Sequence, residues 1–259
     1  MPRASWLGRA RGIASAQLLG LAAAMQFLTV LPPVVRRTFS PREMGAAVGL
    51  FPLPGLLIGL IVAGAWLGLY SLVGPLLAAA LALAIWVVLT GALHLDGLLD
   101  SCDGLLGGHT PERRLEIMRD HHIGAFALAG GVLLLMLKGA ALAELPASDW
   151  RLLALAPVVA RGGLSLAVVT QPYARPQGTG ATLKAESGPV QAVLAAALTV
   201  LISLALGNDV GLAIAGGTLL VQAAVVAFVR HKIPGLTGDS YGALVELGEL
   251  AAVLCIAVV

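Results

Sequence analysis

"PLLAAALALAIWVVLTGALHLDGLLDSCDGLL", residues 75–106, decides the fold. Its first part, 75–93, carries no charged residue. At 1.5 Å per residue such a run measures about 28 Å, close to the hydrocarbon thickness of a bilayer. The run is continuously apolar instead of alternating, so it reads as a membrane helix and not as a strand of a β-barrel. Three carboxylates then arrive within eight positions, Asp96, Asp100 and Asp103. The stretch therefore reads as a span that delivers acidic groups to a membrane edge.

The rest of the chain agrees. Of 259 residues, 58% are hydrophobic and 12% charged, about half the charge of a soluble domain. Apolar segments fall at about 12–31, 45–70, 75–93, 123–143, 151–170, 189–207, 211–229 and 241–259. The expected fold is an all-α polytopic membrane protein: about seven transmembrane helices in one domain, 1–259, plus an N-terminal segment of different character. The net charge of +2 offers nothing to nucleic acid. Cys102 and Cys255 are too far apart in sequence to suggest a disulfide framework or metal cluster. The first apolar stretch lacks a small-residue cleavage site and is read as mature sequence. No inverted repeat of the kind that marks many transporters is visible.

Basic residues orient the spans. Arg36, Arg37, Arg42, Arg113, Arg114, Arg119, Arg175, Lys184, Arg230 and Lys232 all fall in four longer loops, 32–44, 94–122, 171–188 and 230–240. The short connections carry Glu144, Asp149 and Asp209, with Arg151 as the exception. The positive-inside rule places the four loops on the cytoplasmic side, and the seven segments after residue 44 alternate accordingly. Segment 12–31 breaks the parity, because Arg3, Arg9 and Arg11 precede it and Arg36 and Arg37 follow it. A re-entrant or interfacial helix ending at Pro32-Pro33 accounts for this; a span with its N-terminus outside is the alternative.

On a helix continuing past Leu93, positions 96, 100 and 103 share one face, at spacings i, i+4 and i+7. Like charges there repel. A divalent cation removes the conflict, and Mg²⁺ takes one or two carboxylates together with substrate phosphates. The plainer reading is solvated or capping aspartates, which Gly97 and Gly104 favour by weakening the helix. "GGHTPERRLEIMRDHHIGAF", residues 107–126, adds a helix start at Thr110-Pro111-Glu112. Arg113, Arg114, Glu116 and Arg119 follow, with Asp120 before the next span. Arginines facing a carboxylate-held cation suit a diphosphate; for Arg113 or Arg114 alone, an orienting surface charge explains as much.

His94, His109, His121, His122 and His231 have no zinc spacing. His94 is open as ligand, base or membrane-edge residue. In "IPGLTGDSYGALVELGEL", residues 233–250, Gly235, Gly238 and Gly242 give a turn that a phosphate can approach closely. Asp239 is a further ligand candidate. Glu246 and Glu249 sit inside an apolar helix, either as functional groups or as partners of Lys138 and Arg161.

These stretches together resemble the cobalamin synthase family, the adenosylcobinamide-GDP ribazoletransferases. "HLDGLLDSCDGL" is similar to the family's HLDGLADTADG, "RRLEIMRDHHIGAF" to its RRLEIMKDSRIGxxG, and "GLTGDSYGALVELGEL" to its GxTGDxxGAxxEL. "FLTVLPP" is similar to FLTRIP. The segments come in the family's order over essentially the whole chain. Val30 stands where the family commonly has arginine, and His121-His122 replace its Ser-Arg type pair, which leaves the part played by those two positions open. The resemblance implies an enzyme of the bacterial cytoplasmic membrane whose site faces the cytoplasm. It would use Mg²⁺ to join adenosylcobinamide-GDP to α-ribazole or its 5′-phosphate and release GMP.

On this reading Asp96, Asp100, Asp103 and Asp120 hold the metal. His94, Arg119 and Asp120 act on the reacting groups, and Arg113, Arg114, Gly238, Asp239 and Glu246 contact substrate. A homo-oligomer is compatible with the sequence, which sets no oligomeric state. Two other readings fit the sequence less well. A CDP-alcohol phosphotransferase needs Ala-Arg where Gly107-Gly108 stand, and later paired aspartates that are missing. A transporter would carry its ionisable groups near mid-membrane, whereas most acidic groups here cluster at one face.

Overall fold

The computed structural model describes residues 17–258. Among the described residues the chain forms eleven α-helices and no β-sheet. They are α1 (Gln17–Leu28), α2 (Pro41–Val48), α3 (Pro52–Val73), α4 (Pro75–Leu89), α5 (Leu93–Gly107), α6 (Pro111–Ile117), α7 (Ala125–Glu144), α8 (Trp150–Thr170), α9 (Thr179–Glu186), α10 (Pro189–Lys232) and α11 (Gly238–Ala257). Several starts are written locally. Ser40 and Glu43 close a capping box at α2, with Pro41 in the first turn. The hydroxyl of Thr110 accepts from Arg113 N ahead of α6, as the Thr-Pro-Glu start predicts. Thr237 caps α11 through Ser240. Each cap satisfies N–H groups that the first turn leaves without partners.

Among the described residues five helices are long and apolar enough to cross a membrane, or six if the bent pair of α4 and α5 counts as one span. Helices α3, α7, α8 and α11 are long and apolar enough to span singly. The 44 residues of α10 would measure about 66 Å if straight, twice a bilayer core. Asn208 interrupts it with φ 49° and ψ −134°. A Cβ on Gly211 would overlap the Ser203 carbonyl, whereas eight residues along one helix would separate the two by about 12 Å. The chain therefore doubles back, and 189–207 and 209–232 are two antiparallel spans. α4 and α5 are long and apolar enough only together, as a pair bent by 90°, the geometry of a broken span or a re-entrant loop.

That bend corrects one expectation. The helix does not run on past Leu93 but stops at Leu89, and the aspartates ride on a separate helix. Gly91 (φ 60°) and Ala92 (φ 55°) take the left-handed conformation, while the Thr90 hydroxyl hydrogen-bonds back to the carbonyls of Trp86 and Val87. Val30 N donates to Leu89 O at 2.9 Å and ties the N-terminal segment to this corner. The stretch 94–122, expected as a loop, is mostly helix.

The 12 residues of α1 span about 18 Å. Beyond it, Gln26 brackets Val35 through both its side-chain oxygen and its nitrogen, closing the turn that holds Pro32-Pro33. Arg3, Arg9, Arg11 and residues 12–16 lie outside the described residues. α8 is the axis of the bundle and packs against α3, α10 and α11, with Leu153 to Leu164 buried without interruption. α7 and α10 turn Leu128, Leu133, Met136, Leu201 and Leu220 outward. Those exposed apolar side chains match a hydrocarbon solvent and not water.

All four basic loops meet at one end of the bundle. Segments 171–188 and 230–240 pair at Tyr173 and Leu236. Arg114 Nη1 donates to Lys232 O, α2 packs on α9, and Arg175 Nη2 reaches Met118 O. The shared side expected from their charge is the arrangement the fold requires.

Candidate active site

The three aspartates do share α5, and that helix is held where it is by a close crossing. A Cβ on Gly97 would stand 2.7 Å from Asp239 O and 3.0 Å from Asp239 Cα; one on Gly242 would stand 2.7 Å from His94 O and 3.1 Å from Gly97 Cα. Only hydrogen at both positions lets α5 and α11 meet backbone to backbone. The crossing sets Asp96 and Asp100 beside Asp239. Gly97→Ala should lower stability by about 1–3 kcal/mol through overpacking, read as a lower midpoint of thermal unfolding in detergent. Gly64→Ala, whose Cβ would meet open space, should leave that midpoint in place.

Asp100 is half-buried among Asp239, Asp96 and Asp103, with Arg175 as the nearby cation. Arg175 comes from the 171–178 segment, which Leu236 clamps by accepting from Ala174 N at 2.8 Å and donating to Pro172 O at 2.9 Å. Its Nη2 lies 2.7 Å from Asp239 Oδ2. Three acidic neighbours against one guanidinium leave a local surplus of negative charge that a bound cation would offset.

Two cavities adjoin at this point and share Asp96 and Arg175 in their walls. One, of about 430 Å³, is polar and holds Asp100, Asp103, Arg119, Asp120 and His122. The other, of about 300 Å³, is mainly apolar, with Phe27, Leu164, Tyr173 and Tyr241 in its wall beside His94, Gly238 and Asp239.

As the side chains stand, no three of the described His, Cys, Asp or Glu residues converge tightly enough to hold a metal ion. The donor chemistry still suits Mg²⁺, which needs only one or two carboxylates when phosphate oxygens and water complete its shell. Asp103 has a second task. Its carboxylate accepts from Gly124 N at 2.6 Å and Ala127 N at 2.8 Å, capping α7, whose N-cap glycine has no side chain to do so. Asp120 lies on the exposed rim, 2.6 Å from His122 Nδ1. That hydrogen bond holds the Asp120 carboxyl below the usual range and raises the His122 imidazole.

Three expected substrate contacts are committed elsewhere. Arg113 pairs with Glu116 on the exposed face of α6. Arg114 braces α6 against the end of α10 through Lys232 O. Glu246 belongs to a buried cluster between spans: Lys138 Nζ lies 3.0 Å from Glu246 Oε2 and 2.5 Å from Glu249 Oε2, and Arg161 Nη1 lies 2.6 Å from Glu249 Oε1. Trp86 Nε1 also donates to Glu249, and the Lys138 ammonium sits 4.0 Å from the centre of the Trp86 ring. Pairing, the alternative reading of these glutamates, is what the fold displays. Arg175, Tyr173 and Tyr241 were missed as site residues. For Tyr173 and Arg175 the local sign was an aromatic and a basic residue inside the Pro/Gly-rich stretch "QPYARPQGTG", residues 171–180, and Tyr241 lay within the quoted stretch 233–250.

A polytopic helical membrane protein with a carboxylate-rich polar face at one end of its bundle is the class that fold and site define. The profile of the cobalamin-5-phosphate synthase family matches residues 20–257. The chain is 43% identical over 251 residues to the adenosylcobinamide-GDP ribazoletransferase of Pseudomonas paraeruginosa, covering 93% of this chain and 98% of that one. It is 42% identical over 246 residues to the same enzyme of Stutzerimonas stutzeri, with the same coverage, and 37% over 228 residues to that of Desulforamulus reducens, covering 87% and 91%. No solved structure matches the chain. The chain belongs to the cobalamin-5-phosphate synthase family.

Proposed function

We propose that this chain carries out the reaction for which its relatives are named, joining adenosylcobinamide-GDP to α-ribazole or its 5′-phosphate and releasing GMP, late in vitamin B12 biosynthesis. The observation that supports this best is the junction of the two cavities, where Asp96 and Asp100 of α5 face Asp239 and Arg175. A hydroxyl oxygen of the ribazole forms a bond to the phosphorus on the cobinamide side. The bond from that phosphorus to the bridging oxygen breaks, the electron pair leaves with GMP, and the hydroxyl proton goes to a base. His94, in the apolar cavity's wall with no partner at Nδ1, is the group we assign to receive that proton. Arg175 and Arg119 offset charge that builds on the leaving phosphate. Asp96 and Asp100, with Asp103 and Asp120 at the edge, would hold Mg²⁺, which when bound neutralises and orients diphosphate oxygens.

Purified protein given both substrates should yield one GMP for each corrinoid product. GMP release that ignores ribazole would refute the proposal. Uptake of a corrinoid into vesicles without release of GMP would favour a transporter, and use of a CDP-alcohol donor would favour the phosphotransferase.

We further place this face in the cytoplasm, because the loop basic charge gathers there. With Cys102 and Cys255 replaced by serine, a cysteine at position 109 should resist a membrane-impermeant maleimide in intact cells and react once the membrane is opened. Strong labelling of intact cells would invert the topology.

A further inference from the structure

We propose that the apolar cavity of about 300 Å³ is the seat of the acceptor's flat aromatic base, with Tyr241 as the residue that selects it. The inference rests on the reaction proposed above and assigns its two substrates to different cavities. Two buried polar atoms in this wall lack a partner: the Tyr241 hydroxyl and His94 Nδ1. Their residues are 5% and 4% exposed, so water does not readily serve them, and a buried polar group without a partner is rare in a folded protein. Both residues line one cavity, and neither atom has a partner within the fold. A ligand that enters would complete them.

The shape and chemistry of the wall say what kind of ligand. Tyr173 and Tyr241 stand with ring centroids 5.8 Å apart and planes 36° apart, and Phe27, Leu164 and Leu183 line the same cavity. The Phe, Tyr and Leu part of this wall offers an apolar face to a planar base, held by stacking and one edge contact, while Gln177, Thr179, Arg175 and Asp239 stand at its polar edge. The polar cavity takes the diphosphate of the donor, which leaves this one to the acceptor, and competition with guanosine separates the two bases. At the other end the cavity opens on Asp96 and Arg175, the wall it shares with the polar cavity suited to a diphosphate. A nucleoside seated with its base among the tyrosines points its ribose at that junction. His94 then meets a hydroxyl, and Tyr241 meets the base edge.

Tyr241→Phe keeps the ring and removes the hydroxyl. Measured on the full-length protein in detergent or lipid, it should raise the KM for α-ribazole about five- to tenfold, the size of one neutral hydrogen bond. The KM for adenosylcobinamide-GDP should stay within about twofold. A shift confined to the donor's KM, or no shift in either, overturns the assignment. Equilibrium dialysis without donor gives a second reading that needs no turnover. Wild-type protein should bind α-ribazole, Tyr241→Leu should bind it more weakly than Tyr241→Phe, and excess guanosine should not displace it. Displacement by guanosine would hand the cavity to the donor's base. Should Tyr241 variants fail to accumulate in the membrane, the competition on wild-type protein decides alone. Failure of the proposed reaction would show separately, as no GMP release from wild-type protein given both substrates.

Discussion

Asp96→Asn is expected to lower turnover about 10²–10³-fold, the effect of losing roughly 3–4 kcal/mol of transition-state stabilisation. Asparagine keeps the size of the side chain and much of its hydrogen bonding but removes one anionic oxygen ligand. Asp96 is chosen because it is exposed, lies in the wall of both cavities and, unlike Asp103, caps no helix. The fold should therefore survive its loss. The control is Glu112→Gln, an acidic residue in the exposed first turn of α6 outside both cavity walls, and it should retain its rate. Raised Mg²⁺ should partly restore an Asp96 variant that has lost only affinity for the ion. Equal losses in the two variants, or none in either, would remove the carboxylate face of α5 from the chemistry.

The second large effect concerns stability. Lys138, Arg161, Glu246 and Glu249 are each at most 5% exposed and join α7, α8 and α11 in a cluster of two positive and two negative charges. Lys138→Met strands Glu246 and leaves Glu249 to Arg161 and the Trp86 N–H. Removing one member of a buried ion pair costs about 3–5 kcal/mol, because the remaining charge stays desolvated. Lys138→Met should accordingly unfold at markedly lower temperature in detergent. Adding Glu246→Gln restores the charge balance and should recover a large part of the loss, as interacting residues do in a double-mutant cycle. Simple additivity of the two changes would show that Lys138 and Glu246 are not coupled.

Much of the fold was legible because hydropathy reports directly on what a bilayer demands. The turn at 208–210 was visible as two polar residues between apolar runs, and Thr110-Pro111 announced α6 through local capping chemistry. The corner at Thr90–Ala92 was not legible. Its residues are small and largely apolar, and a 90° change of direction leaves hydropathy unchanged. Charge alone gathered the four basic loops on one side. It could not say which arginine would turn inward, since Arg175 meets Asp239 across 64 positions and Arg114 meets Lys232 across 118. The aspartate face of α5 was visible as a spacing. Its division of labour, with Asp103 capping α7 and Asp96 at the cavity junction, depends on how α5 crosses its neighbours.

Divalent-cation dependence of GMP release is the measurement to make first. Protein stripped with chelator should release no GMP from adenosylcobinamide-GDP and α-ribazole, and added Mg²⁺ should restore release along a saturating curve. Asp96→Asn should shift that curve to higher Mg²⁺ or abolish it. Release at the full rate in excess chelator would contradict the proposal that the α5 carboxylates hold a cation against the diphosphate.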